Sequence, residues 1–517
     1  MSKIGGTAGT SQINLSGNAT VALVPFAEDF DDLRDVLNVR WFGAKGDGST
    51  DDTAALQAAL DAGAGKSVYV PAGEYITTDA LTLSSGTILF GDGPSSIIKS
   101  NSLPFASPGG HRQLHCVSIS DFVIRDLCFD ASGMTSFSGG MRSIYLNGCS
   151  NYHITRCKII TPGGVTASLQ CHTYWITDNL IDIVSQDGQA KHDGIIDQWD
   201  GSNNFVIRGN IIRGNDIGKY GILGTGTDTS NNPTPMYDMI VTENIVEGVT
   251  EYGIWFNGRS GGHSRLTISN NIVKDSPDAV GIGVYDAVDF SVTFNKIDTV
   301  AVGIRCMSEP GAGGVLSAQR GVISGNVIRD ANPNMVSEIL NGSAIVFFYD
   351  SADCIISENH VIGSTHVYAL YLGEDTARNV VADNRFDAGV TGKIGNAGNA
   401  PNYLGGGTYT PTVVGTANVS SVTVLASTYS VRDGFVDVYF GVGIQPTTGN
   451  NTTTSIGISL PIPATFTNAN DVQGTASTAF GQIAGMSADT TNHRAVLQFP
   501  SPGTSTYVFR GTFRYIL

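Results

Sequence analysis

The chain is predicted to be all-β: a right-handed parallel β-helix with an N-terminal helical cap and a C-terminal antiparallel, β-sandwich-like domain. Three features predict this. An apolar pair, a turn, an asparagine and a second apolar pair return many times, as in "FVIRGNIIRG" from Phe205, "RLTISNNIVKD" from Arg265 and "GVISGNVIRD" from Gly321. A second kernel returns once per repeat, as in "KYGILG" from Lys219, "EYGIWF" from Glu251 and "AVGIRC" from Ala301. With 64 glycines and 15% charged residues in a chain of 517, the composition suits short strands joined by many tight turns.

Aligned on its asparagine, the first kernel places Asn179, Asn210, Asn244, Asn271, Asn295, Asn326, Asn359 and Asn384 in one slot, with Cys157 and Leu127 filling it in two earlier units. The intervals from Cys157 onward vary from 22 to 34 residues. A constant kernel at variable spacing means fixed strands joined by unequal loops. Asparagine accepts left-handed backbone angles, and its amide can bond a neighbour one rung along. The slot is therefore predicted to be a side-chain ladder at one corner of the coil. It implies roughly ten rungs or more, between about Val117 and Val390.

Aligning the second kernel predicts which residues face which way. Ile195, Ile222, Ile254, Ile282, Ile304, Ile345 and Leu370 form one inward column under strand alternation. Gly194, Gly221, Gly253, Gly281 and Gly303 then form an outward floor without side chains. Beside it stand Tyr145, Ile196, Leu223, Trp255, Gly283, Arg305, Val346 and Tyr371, and next Asn147, Gln198, Thr225, Asn257, Tyr285, Met307 and Phe348. A bare floor flanked by aromatic rings is what a sugar-binding groove needs, because rings stack on the apolar faces of pyranoses.

The two ends read differently. In "GAKGDGSTDDTAALQAALDAG", Ser49 or Thr50 is expected to cap a helix with Asp51 and Asp52 in its first turn, ending at Gly63. Such a helix would cover the open end of the coil. "SVYVPAGEY" from Ser67 and "ILFGDGPSS" from Ile88 read as the first strands. From about residue 400 the ladder stops, and Thr/Ser alternate with Val, as in an antiparallel sheet. The expected organisation is an arm over 1–38, the capped start of the coil over 39–100, the coil with its glycan groove over 101–400, and a β domain over 401–517.

Charge and composition exclude several functions. A net charge of −17 without a basic stripe argues against nucleic acid. No apolar run reaches membrane-span length, and the start lacks a signal-peptide core. The 7 cysteines sit singly in apolar patterns, without zinc spacing, and read as buried thiols of a chain folded in a reducing cytoplasm. No cofactor or metal is expected.

"FGAKGDGSTDDTAALQAAL", followed by "VYVPAGEY" and "LFGDG", resembles the start of pectate-lyase-superfamily β-helices, a form frequent in phage tailspikes and capsule depolymerases. The motif specifies the fold and not the reaction, since lyases, hydrolases and epimerases share it. The C-terminal segment is similar to a module of phage and prophage tail proteins, which implies trimerisation or glycan contact for 401–517. The resemblance implies a homotrimeric tailspike, made in the host cytoplasm and carried on the virion tail or baseplate. It would cleave bacterial lipopolysaccharide O-antigen or capsular polysaccharide endo-fashion. A polysaccharide lyase acting by β-elimination and a non-catalytic glycan-binding fibre are the alternatives.

The candidate chemistry is local. "KHDGIID" resembles the first catalytic element of polygalacturonases, with Asp193 matching its acid; that family's later slots hold Lys219, Tyr220, Glu251, Tyr252 and Gly253 instead. The alignment sets His192–Asp193, Lys219–Tyr220 and Glu251–Tyr252 on three successive rungs. Asp193, Glu251, Lys219, Tyr220 and His192 are therefore the catalytic candidates. Tyr252, Trp255, Asn257, Arg259, Tyr285 and Arg305 are the substrate-binding candidates. Two rungs at about 4.8 Å each separate Asp193 from Glu251 by roughly 9–10 Å, the spacing of an inverting pair. Elimination would instead use Lys219 or His192 as base, Tyr220 or Tyr252 as acid, and Arg259 or Arg305 against a uronate carboxylate. Further acids at Asp197, Asp200 and Asp228 favour hydrolysis.

Overall fold

The computed structural model describes residues 12–15, 19–22, 36–103, 110–134, 141–168, 170–184, 194–199, 201–226, 234–258, 262–307, 318–331, 342–347, 351–363, 366–373, 376–387, 392–396, 403–404, 406–432, 435–461, 464 and 466–516. Three parallel sheets run the length of the coil. Sheet I has 12 strands, from Leu81–Thr82 to Gly392–Asn396; sheet II has 15, from Val36–Asn38 to Tyr403–Leu404; sheet III has 13, from Asp47–Asp51 to Arg385–Phe386. One turn of chain supplies one strand to each, as Tyr220–Thr225, Tyr237–Thr242 and Ile245–Glu247 do. The next turn pairs with it in parallel through Ile222↔Ile254, Ile240↔Thr267 and Val246↔Val273.

The core consists of stacked columns. Ile222, Ile254, Ile282, Ile304, Ile345 and Leu370 are buried on successive inward positions of sheet I. In sheet II, Phe122, Tyr152, Tyr174 and Phe205 stack with centroid spacings of 5.0, 4.7 and 5.0 Å. Each aromatic covers the one below, so burial accrues rung by rung at about 25 cal/mol per Å² of apolar surface.

The asparagine ladder is present. Asn210 Nδ2 donates to Asn244 Oδ1 at 2.9 Å, Asn244 to Asn271 at 3.0 Å, and Asn271 to Asn295 at 3.0 Å. The same Oδ1 also accepts the backbone N–H of the preceding ladder residue, as Asn271 Oδ1 does from Asn244. The second amide hydrogen reaches a carbonyl of an earlier turn, as Asn271 Nδ2 does to Val241 O at 3.0 Å. The left-handed residue, however, is the one before each ladder asparagine: Asp178, Gly209, Glu243, Asn270, Phe294, Gly325, Glu358 and Asp383 all have positive φ. The sharp turn thus falls one residue earlier than expected, which leaves the asparagine free to point inward and bond. Cys157 ends the ladder: its N–H donates to Asn179 Oδ1 at 2.9 Å, and its thiol points at Ile124 O. All seven cysteines are buried, and none forms a disulfide.

A second ladder, on the outside, was not foreseen. At the start of the sheet II strands, Asp238, Arg265, Asp289, Arg320, Asp353 and Arg378 occupy left-handed positions on successive rungs. Arg265, Arg320 and Arg378 each grip the preceding aspartate with two nitrogens, at 2.6–3.0 Å. Toward the N-terminus the same column continues as pairs without arginine, Asn204 with Thr173 and Asn151 with the Asp121 carboxylate.

The cap helix spans Thr53–Asp61 and buries Leu56, Ala59 and Leu60 against the first rung. Its start differs from expectation. Ser49 and Thr50 lie in the strand Asp47–Asp51 and bond to Asp47. Asp52 holds the N-cap position but turns its carboxylate to the N–H groups of Lys45 and Gly46, at 2.6 and 3.0 Å, so it organises the glycine loop rather than the helix end. Beyond the coil, ten strands from Gly406–Tyr409 to Tyr507–Ile516 form an antiparallel sheet around a separate core that includes Val438, Phe440, Ile456, Leu497, Phe499, Phe509 and Phe513. Among the described residues no helix is long and apolar enough to cross a membrane.

Two predictions test the ladders. Asn271→Leu leaves buried amide groups on both neighbouring rungs without partners, and should destabilise the coil by about 1–3 kcal/mol in urea titrations. An unchanged midpoint would refute the ladder's role. Asp289 and Asp353 are held below the ordinary carboxylate value of 3.8, first by their hydrogen bonds from Arg320 and Arg378. Their contribution is therefore complete above the ordinary range and lost as pH falls below it. The double variant Asp289→Asn/Asp353→Asn should flatten the acid side of the melting-temperature profile.

Candidate functional site

Strand register in sheet I decides which side chains leave the coil. Gly194 pairs with Tyr220 and Ile196 with Ile222, so the rung 194–199 is set one residue away from the expected alignment. A one-residue slip exchanges the two faces of a strand. Ile196 and Gln198, expected outside, are therefore buried, and Gln198 accepts from the core hydroxyl of Tyr174. Asp197 and Trp199 take the outward columns instead, Asp197 beside Thr166 and Leu223, Trp199 beside Thr225.

The outward glycine floor is also corrected. A Cβ on Gly221 would meet Val246 Cγ1 at 2.4 Å, on Gly253 Val273 Cγ1 at 2.4 Å, and on Gly281 Ile297 Cγ2 at 2.7 Å, all core atoms. These glycines face inward. At this corner Gly221 and Ile222 both point in, while Tyr220 and Leu223 both point out. The glycines let sheet I approach sheet III. One glycine does lie under the rings outside: a Cβ on Gly283 would meet Trp255 Cδ1 at 2.8 Å and Tyr252 Cε1 at 2.9 Å.

The outer wall carries an aromatic platform. Tyr252 and Trp255 stack at 4.7 Å and 16°; Tyr220 lies 5.2 Å from Trp255; Tyr285 stands edge-on to both, at 6.1 and 5.7 Å. The hydroxyls of Tyr252 and Tyr285 share a hydrogen bond of 2.6 Å. Burial, then the neighbouring Tyr252, push the Tyr285 phenol well above its ordinary range, while Arg305 opposes them. Tyr285 is therefore a neutral hydrogen-bonding group. Trp255 Nε1 is shielded from solvent and has no hydrogen-bond partner among the described residues. Asn257 is only 1% exposed, and Arg305 7%.

Beside the platform lies Glu251. Its Oε2 accepts from Tyr220 OH at 2.5 Å, and its Oε1 is 3.0 Å from Lys219 Nζ. Three of the catalytic candidates thus converge on one half-exposed carboxylate next to the rings. His192, Asp193 and Arg259 lie outside the described residues, as do Asp200 and Asp228.

The structure adds a polar cluster two rungs and more N-terminal on the same wall. Arg112 and Arg142 are register partners, as are His115 and Tyr145, and Thr166 links Tyr145 to Asp197. The Arg112 guanidinium lies 3.8 Å above the Tyr145 ring, its Nη1 is 3.0 Å from His115 Nε2, and Arg142 Nη2 is 3.4 Å from Asp197 Oδ2. Asp197 is fully buried. Burial, then the Arg112 charge, lower the His115 pKa and favour a neutral imidazole. The sequence signal was the "HRQLHCV"/"MRSIYLN" pair, whose Arg and His/Tyr fall at equal positions three residues apart. Among the described residues no group of three metal-ligating side chains occurs.

A long parallel β-helix opened by this capped motif is the architecture of the pectate-lyase class. The chain belongs to the pectate lyase-like family described as rhamnogalacturonase A/epimerase, whose pattern matches residues 36–305. It is similar to alginate lyase 7 of Azotobacter vinelandii, 35% identical over 114 residues, 22% of this chain and 12% of that protein. It is also similar to the capsule K30/K69-specific depolymerase 1 of Klebsiella phage K5-2, 38% identical over 112 residues, 21% of this chain and 14% of that one. The matched segments therefore span about an eighth of these relatives. In fold it is similar to the Dettilon tailspike protein, with a TM-score of 0.54 at 16% identity over 93% of this chain and 94% of that one.

Gly283→Ala tests the platform. The added methyl must displace Tyr252 and Trp255 while leaving the core column intact. The near-ultraviolet circular dichroism should change and the thermal midpoint should hold. A change in midpoint with unaltered aromatic signal would contradict the outward placement.

Proposed function

We propose that this protein is a phage tailspike depolymerase that cleaves a bacterial surface polysaccharide, O-antigen or capsule, at internal linkages by hydrolysis. The observation that carries the proposal is the placement of Glu251, with Lys219 and Tyr220 on its two oxygens, at the edge of the Tyr252–Trp255 platform. The rings bind a pyranose face, and the carboxylate lies where a proton must move at the glycosidic oxygen or the attacking water. The likeness to a phage capsule depolymerase and to a tailspike fold supports a virion-borne homotrimer acting on the cell surface.

In this reading Glu251→Gln keeps shape and glycan binding but removes the proton chemistry. Cleavage of the host polysaccharide, followed by size-exclusion chromatography, should fall about 10²–10⁴-fold. The melting temperature should stay near wild type, because the side chain is half exposed and outside the core.

A second reading, β-elimination on a uronate-bearing glycan, rests on the Arg112–Arg142 cluster. Arg142, the more exposed of the two guanidiniums, would meet the uronate carboxylate, with neutral His115 as base and Tyr145 as acid, while buried Arg112 holds the Tyr145 ring. The two readings separate cleanly. Elimination gives products with the ultraviolet absorbance of an unsaturated uronate, and makes His115→Ala and Tyr145→Phe the severe variants while Glu251→Gln stays mild. Hydrolysis gives no such absorbance. A chain that binds the polysaccharide and leaves its size unchanged is a non-catalytic fibre.

A further inference from the structure

Cys149 and Cys171 occupy the same place on successive rungs. Each lies one residue before a sheet II strand, Ser150–Thr155 and His172–Thr177, and the first residues of those strands are register partners. The His172 N–H donates to Cys149 O at 3.0 Å, and the Cys149 N–H donates to Cys171 Sγ at 3.4 Å. The two cysteines are therefore stacked along the coil axis, with backbones about 4.8 Å apart at the strand spacing of a sheet. That lies within the roughly 4.4–6.8 Å of Cα separation that a disulfide spans. Each of the other cysteines meets a different residue on the next rung: Cys116 meets Leu146, Cys128 Lys158, Cys157 Asn179, Cys306 Phe347 and Cys354 Asn379. Cys149 and Cys171 are both fully buried, but shallowly. The residues just before them, Gly148 and Gln170, are exposed and take the left-handed turn. Hydrogen bonding with Cys171 holds the Cys149 thiol below its ordinary range against the effect of burial, whereas burial pushes Cys171 well above it. One thiol is thus suited to attack and its neighbour to resolve.

We infer that Cys149 and Cys171 form an oxidation-set clamp, in which a water-sized hydroperoxide converts the two stacked thiols into one disulfide between neighbouring rungs. The Cys149 thiolate attacks one peroxide oxygen, the O–O bond breaks, and Cys149 becomes a sulfenic acid. The Cys171 sulfur then attacks the Cys149 sulfur and displaces that oxygen, so the S–O bond breaks as the S–S bond forms. The two sulfurs together give up two electrons, and the peroxide takes them. The two thiol protons leave on its oxygens, as two waters. The bond joins the turns that follow the strands Met141–Asn147 and Val165–Ser168, which carry Arg142, Tyr145 and Thr166. The clamp is open while the chain is kept reduced and closes where a hydroperoxide meets it. It does not depend on the glycan reading of the Glu251 site.

The test is a non-reducing peptide map of the native full-length chain before and after treatment with hydrogen peroxide, with circular dichroism to follow the fold. We expect two of the seven thiols to disappear. A peptide linking Cys149 to Cys171 should appear, lighter by two hydrogens than its separate halves and split by dithiothreitol. The thermal midpoint should rise on oxidation and fall back on reduction, because the bond closes a loop between cysteines 22 residues apart. Cys149→Ser keeps a hydroxyl that can donate to Cys116 O as the thiol does. In that variant Cys171 should stay a free thiol under peroxide, and the midpoint should not respond. The map of the wild-type chain carries the test even where the variant fails to fold. A map without the linked peptide, a sulfinic acid at Cys149, or a link that forms only in urea overturns the clamp. So does a linked peptide whose two halves come from different chains, or a linked chain that melts where the reduced one does.

Discussion

The amide ladder is the constraint on which the rest depends. Each ladder oxygen accepts two N–H groups from the previous rung, and each amide nitrogen returns to a carbonyl of an earlier turn. Those groups sit at a buried corner where an unpartnered amide is costly. The ladder therefore fixes the vertical register of the whole coil. The loops between kernels can differ in length because none of them sets that register. Outward positions on sheet I then fall into straight columns, and side chains 31 and 33 residues apart in sequence, Tyr220–Glu251 and Tyr252–Tyr285, meet as close neighbours.

The site depends on a second constraint at the corner between sheets III and I. The glycines at 221, 253 and 281 face inward because Val246, Val273 and Ile297 leave no room for a Cβ. Their placement turns two successive residues into the core and throws Tyr220, Tyr252 and Val280 outward together with Leu223, Trp255 and Gly283. Strict alternation would have buried one of those columns. The platform is thus two columns wide, and that width lets Tyr252 and Trp255 stack on each other rather than stand alone.

Much of this was legible in the chain, for physical reasons. The ladder asparagines share one environment, so their kernel repeats with little variation from Asn179 to Asn384. The motif "FGAKGDGSTDD" marks the capped start, although Asp52 binds the loop and not the helix end. What misled was the segment "HDGIID". Its Gly-Ile matches the kernel by letter, yet Ile196 and not Ile195 stands beside Ile222. With a side-chain period of two, that single step set Ile196 and Gln198 on the outer face, where the structure instead has Asp197 and Trp199. The inward glycines were misassigned because alternation fails at a bend, which a strand pattern cannot reveal. Arg112 and Arg142 share one position in "HRQLHCV" and "MRSIYLN", but Asp197 joins them from two rungs beyond Arg142, which no local motif announces.

The exposed ladder of Asp238, Arg265, Asp289, Arg320, Asp353 and Arg378 alternates in sign from one rung to the next. Inserting or deleting one rung anywhere within it would bring two carboxylates or two guanidiniums face to face. Inserting or deleting two would leave the alternation whole. Over this stretch the coil has a parity: duplication or loss of its turns is electrostatically tolerated in pairs, so the smallest unit by which such a rod can change its reach is two turns rather than one.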